Sequence, residues 1–97
     1  MNKQLRLTIY SLYFVKILTG EKTIEYRKKS ELYKKKFQKH WDEILFINGY
    51  GKSRPHMIME LTKIIETKKN FELHLGKVIR CWNIQEPKST KEVKSNG

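Results

Sequence analysis

Gly20-Glu21-Lys22-Thr23-Ile24-Glu25-Tyr26-Arg27 is the stretch that turns the reading of this chain from a helix to a sheet. Before it, Phe14, Ile17 and Leu18 fall on one face of a helix that Ser11 can cap and that runs to about residue 19. Gly20 is free to take the left-handed conformation that ends such a helix. Residues 22–27 then read as a strand. Side chains two apart on a strand share a face, so Glu25 and Arg27 are neighbours, with Thr23 in line. Tyr26 has the opposite parity and reads as buried. Lys22 also has the opposite parity, unless the turn after the helix re-aims it. A lysine, a carboxylate and an arginine thus gather where a helix meets a sheet, a common place for a polar ligand.

Working outward, Leu5, Leu7 and Ile9 alternate with Arg6 and Thr8, the pattern of a half-buried strand. Ser30 starts a second helix in which Tyr33, Phe37 and Trp41 recur every four residues as the inward side, the alternative being an irregular loop with one helical turn. Residues 43–48 form a continuous apolar run, which suits a strand covered on both faces. Asn48-Gly49-Tyr50-Gly51-Lys52-Ser53-Arg54-Pro55 is a basic loop. Met57, Met59 and Leu61 alternate with Ile58, Glu60 and Thr62 in a strand reaching about residue 65. A turn over 67–70 leads to a short segment over 71–75, extended or helical, and a last strand over 78–84. Residues 85–97 hold almost no apolar side chain and read as a disordered tail. The organisation is one folded domain over 1–84 and a tail over 85–97. Its class is α+β: a small β-barrel of about five to six mostly antiparallel strands, with one or two covering helices.

The 97 residues suffice for one modest core. No apolar run approaches the roughly 20 residues of a membrane-spanning helix, so no membrane partner is expected. The N-terminus lacks the long apolar core of a secretory signal, and Cys81 is the only cysteine. A reducing, cytoplasmic setting is therefore expected. His40, His56 and His74 are scattered without ligand spacing, so neither a metal nor another cofactor is expected. His40 and His56 read as surface residues and Cys81 as a small core residue; Arg80 and Trp82 share a face and read either as a stacking platform for a base or, more simply, with Trp82 as core. Glu60 reads either as exposed at an edge or as pointing into the cleft.

The net charge of +11 favours polyanionic partners, nucleic acid first. From Arg27 to Lys39 there are seven positive residues and one negative, Glu31, which places +6 of that charge beside the motif. Each single lysine here reads most simply as solvated helix surface, and the cluster as a backbone-binding patch. Glu25 can close the barrel edge in an ion pair with Arg27 or Lys22. Equally, Lys22 and Arg27 can clamp a phosphate or base, with Glu25 orienting them or accepting from an exocyclic amine. Tyr10, Tyr13, Tyr26 and Tyr50 can stack on unpaired bases, Tyr50 most favourably because it lies on a loop with Lys52 and Arg54.

The Gly20-x-Lys22-x-x-Glu25-x-Arg27 pattern, with Tyr13 to Leu18 before it, Trp41 to Phe46 after it and Phe71 to Gly76 late in the chain, resembles the ASCH family of small PUA-like barrels. The resemblance covers about residues 7–84 and fills every named position of the family signature. It implies a groove between the first helix and the barrel, and an RNA or nucleotide-like ligand held by Lys22, Glu25 and Arg27. Lys28, Lys29, Lys34, Lys35 and Lys36 would then hold the backbone. One bacterial branch of that family deacetylates N4-acetylcytidine using a lysine, a threonine and a late glutamate. Lys22 matches that lysine, Glu25 stands where the threonine would be, and Glu72 is the available late carboxylate. A carboxylate does not replace a hydroxyl nucleophile. A hydrolase acting on a modified nucleoside or RNA, with Lys22 and Glu25 as an acid/base pair, is the alternative to a binding domain. A protein-interaction module whose charge serves solubility or an acidic partner is a third.

Overall fold

Alternation in β1 (Gln4–Ile9) buries Leu5, Leu7 and Ile9 and leaves Gln4 and Arg6 exposed. Helix α1 (Ser11–Leu18) follows, burying Phe14 and Ile17. Tyr10 occupies its N-cap position without a capping side chain. Ser11 is instead the first helical residue, and its hydroxyl accepts from Asn48 Nδ2 at 3.4 Å. Gly20 ends the segment with a φ of 85°, a left-handed turn that a β-carbon would strain. Next come β2 (Ile24–Lys28) and α2 (Glu31–Phe37), the latter capped by Ser30 Oγ, which accepts from the Tyr33 N–H at 3.1 Å. Strands β3 (Glu43–Asn48), β4 (His56–Glu66) and β5 (Asn70–Trp82) complete the order. These elements come from a computed structural model that describes residues 3–49 and 53–84. Tyr50, Lys52 and the tail over 85–97 lie outside the described residues.

The strands form one five-stranded sheet in the order β1-β3-β4-β5-β2. Only β1 and β3 run parallel among its pairs; the other three pairings are antiparallel. The two strands flanking α1 in sequence, β1 and β2, are therefore the two opposite edges. The sheet curls until Arg27 Nη2 on β2 donates to the Thr8 carbonyl on β1 at 3.1 Å. The result is a small α+β domain, a half-open barrel with two helices, as expected at that level. Its apolar interior takes Leu5 and Leu7 from β1, Ile44 and Phe46 from β3, Met57 and Met59 from β4, and Phe71 and Leu73 from β5. From α2, Phe37 enters between Tyr33, stacked at 5.1 Å, and Phe71, edge-on at 5.0 Å.

Several expectations are corrected by this architecture. β5 is one strand of 13 residues, where the sequence suggests a short segment, a break and a strand. Gly76 is the apparent break. Register shifts between Ile58 and Lys63 on β4 absorb it, and its missing side chain is what lets Glu60 fold across. A Cβ at Gly76 would lie 2.5 Å from Glu60 Oε1, which accepts the Lys77 N–H at 3.0 Å. Glu60 is accordingly exposed and lies over β5 rather than in the cleft. Ladder pairing with β2 ends at His74, with one more bond from the Leu75 N–H to the Thr23 carbonyl at 3.0 Å; beyond it no described strand pairs with that side of β5, and Cys81 is exposed rather than core. His56 is buried rather than on the surface, because it pairs directly with Trp82 and stacks on its indole at 4.9 Å. Trp82 is itself half-buried, with the Arg80 guanidinium 5.0 Å from its ring.

Candidate functional site

The turn that ends α1 sets the geometry of the charged cluster. Gly20 N–H donates to the Ile17 carbonyl at 3.1 Å and Lys22 N–H to the Lys16 carbonyl at 2.9 Å. β2 therefore starts at Ile24 rather than at Lys22, which stays in the turn. Freed from strand parity, Lys22 swings toward Glu25, its Nζ 3.7 Å from Oε1. The parity of β2 itself is as expected, but its sides are reversed: Glu25 is 6% exposed and Tyr26 is 51% exposed. Curling turns the Glu25 side of β2 into the concave face, so the carboxylate goes inward and the phenol outward.

Arg27 is held from three directions. Its Nε donates to Glu25 Oε2 at 2.9 Å, its Nη1 to the Tyr33 hydroxyl at 3.0 Å, and its Nη2 to the Thr8 carbonyl at 3.1 Å. One guanidinium thus joins β2, α2 and β1. Charge-assisted bonds of this kind are stronger than neutral ones, and the planar fork suits them. The Lys22 ammonium has a softer setting, 5.1 Å from the Tyr26 ring centroid and 5.5 Å from that of Tyr13.

Beside this cluster opens a cavity of about 500 Å³ lined by Thr8, Ile9, Tyr10, Tyr13, Glu25, Tyr26, Arg27, Lys28 and Gly49. That volume lies within the roughly 300–1,000 Å³ usual for small-ligand pockets. Tyr10 is 80% exposed, and its ring centroid lies 6.5 Å from that of Tyr13. A second hollow of about 350 Å³, which shares Tyr13 and Tyr26 with the first, is lined also by Lys16, Glu21, Lys22, Thr23 and Ile24.

The structure brings Glu25, Arg27 and Lys28 together at the cleft, while Lys22 reaches Glu25 from the neighbouring hollow. Lys29 turns away and pairs with Glu66 at 2.8 Å, and this hydrogen bond holds the Glu66 carboxyl below its ordinary pKa. Lys34 and Lys35 are exposed and Lys36 is half-buried on α2. Lys35 and Lys36 share a groove with Leu32, Gln38, Lys39 and Trp41. Trp41 lies beyond α2 rather than within it, and its indole N–H donates to the Lys36 carbonyl at 2.8 Å. Arg54 Nε donates to the Asn48 carbonyl at 2.7 Å and packs on Gly49, next to the cleft. Sequence reasoning missed the Thr8 carbonyl and the Tyr33 hydroxyl as anchors of Arg27. The first is a backbone group with no sequence signal, and the second was read only as an apolar helix face. Among the described residues, no group of three or more His, Cys, Asp or Glu is placed to hold a metal ion.

Compared with models of protein families, with curated proteins and with solved structures, the chain matches none of them.

Proposed function

We propose that this chain binds single-stranded RNA and receives one unpaired nucleotide in the cleft between α1 and β2, where the resemblance to the ASCH family implies an RNA or nucleotide-like ligand. The carrying observation is the cleft itself: three tyrosines, Tyr10, Tyr13 and Tyr26, surround a buried, charge-paired carboxylate on a chain of net charge +11. Aromatic side chains hold unpaired bases by stacking, whereas a paired duplex hides the faces they need. Lys28 at the rim, and Lys34, Lys35 and Lys36 on α2, supply the phosphate attraction. On this reading the half-open barrel is a PUA-like ASCH domain of the cytoplasm.

The test compares wild type with the Tyr13→Ala/Tyr26→Ala double variant on single-stranded and duplex RNA at two salt concentrations, with RNA integrity followed in the same samples. The expected result is intact RNA, preference for the single strand, and a loss of tenfold or more in the variant, since stacking contributes on the order of 1–3 kcal/mol per base. Equal affinity for duplex RNA and an acidic polypeptide would reduce the interaction to net charge. Cleaved or deacylated product that disappears in Lys22→Ala would replace binding with hydrolysis.

A further inference from the structure

Glu25 is nine-tenths buried, yet only one of its oxygens is fully engaged. Oε2 accepts from Arg27 Nε at 2.9 Å. Oε1 faces the Lys22 ammonium at 3.7 Å, beyond hydrogen-bond reach, and no other described residue donates to it. The Glu25 side chain is 8% exposed and lines the cleft. A buried carboxylate oxygen without a donor is costly, and natural structures rarely leave one. The neighbouring cations do not fill this need: Arg27 donates elsewhere with its remaining nitrogens, and Lys22 leans on tyrosine rings.

We infer that Glu25 Oε1 reads the exocyclic amino group of the base in the cleft, so that the protein selects amino-bearing bases over uracil. This rests on the RNA reading above and adds the ligand class to it. Cytosine and uracil make the sharpest comparison, being alike in size and stacking faces. Cytosine presents an N4 amino donor where uracil presents an O4 acceptor. A carboxylate accepts from the first and repels the second, and a site built to satisfy a polar group discriminates against the ligand that leaves it unpaired. The tyrosine walls grip either base, so the choice falls to the carboxylate. The phosphates of equal-length oligomers are the same and cancel from the comparison.

The experiment measures binding of the full chain to labelled oligo(C) and oligo(U) of equal length, at one salt concentration and neutral pH. Wild type should bind oligo(C) about tenfold or more tightly, the discrimination expected of a good base-edge contact. Glu25→Gln is the matched variant: its amide oxygen can still accept from Arg27 Nε while its amino group turns to the cleft. In that variant the preference should vanish or pass to oligo(U), with a retained cooperative unfolding transition showing that the domain is intact. Equal binding of the two oligomers by wild type overturns the inference and leaves RNA binding standing. So does a folded Glu25→Gln protein with the original preference. Failure to prefer single-stranded RNA of any sequence overturns both readings.

Discussion

Arg27 donates from three nitrogens to three different elements, and this defines what it does at the residue scale. A guanidinium so committed fixes the shape of the cleft more than it grips a ligand, whereas the Lys22 ammonium is held, among the described residues, only by its 3.7 Å pairing with Glu25 and by two tyrosine rings. Arg27→Ala would leave the Glu25 carboxylate buried with one distant partner, which should cost about 3 kcal/mol or more in urea unfolding. Tyr33→Phe is the finer probe. It removes a single acceptor while keeping the ring stacked on Phe37 at 5.1 Å, so the expected cost is about 1 kcal/mol. If Arg27→Ala unfolds at the wild-type urea concentration, the guanidinium does not hold the edges together. The pairing of Glu25 with Arg27 was legible from their spacing of two. Which face was inner was not, because a five-residue strand with Ile24 and Tyr26 on one side and Glu25 and Arg27 on the other looks apolar toward the wrong side. Only the curl, a property of the whole sheet, decides it.

At the scale of elements, ends and crossings carry the information that periodicity lacks. β1 and β3 are clamped where they start: the Lys3 N–H donates to Asp42 Oδ2 at 2.8 Å, and the Asp42 N–H donates back to the Lys3 carbonyl at 2.9 Å. The hydrogen bond from the Lys3 backbone, followed by that from His40, holds the Asp42 carboxyl below its ordinary pKa. The folded state thus binds a proton here less readily than the unfolded chain. The contribution is complete above the ordinary carboxylate range and fades as pH falls through and below it, from roughly pH 4 downward. Asp42→Asn should therefore flatten the acid limb of stability against pH, read by thermal melting between neutral and acid pH; an unchanged acid limb would remove the clamp from the account. Across the sheet, Gly76 and Glu60 form a steric pair. Gly76→Ala should destabilise by about 1–2 kcal/mol through overpacking, and Glu60→Ala should recover most of that loss in the double variant. Additive losses would mean that Gly76 answers to something other than the carboxylate above it. The two helices, the buried β3 and the alternation of β4 were legible, since each has its own period. The continuity of β5 was not, because a glycine that makes room for a crossing side chain reads like one that ends a strand.

For the whole molecule, the proposed RNA reading puts attraction and selection on different elements. The cleft draws its walls from β1, α1 and β2, while Lys34, Lys35 and Lys36 project from α2. Long-range charge of this kind raises affinity for any polyanion, and its signature is salt dependence rather than sequence preference. The lysines also occupy the last turn of α2, where cations favour the helix by a few tenths of a kcal/mol each, so their removal should leave the fold standing. Changing all three to alanine should weaken oligo(C) and oligo(U) by the same factor. On single strands it should also shallow the slope of log affinity against log salt by about 2, roughly 0.7 for each lost phosphate contact. The ratio between the two oligomers should stay as in wild type, because Glu25 and the tyrosines are untouched. A ratio that collapses with the lysines would mean that α2 takes part in reading the base, and a slope that does not move would put the RNA backbone on another face of the domain.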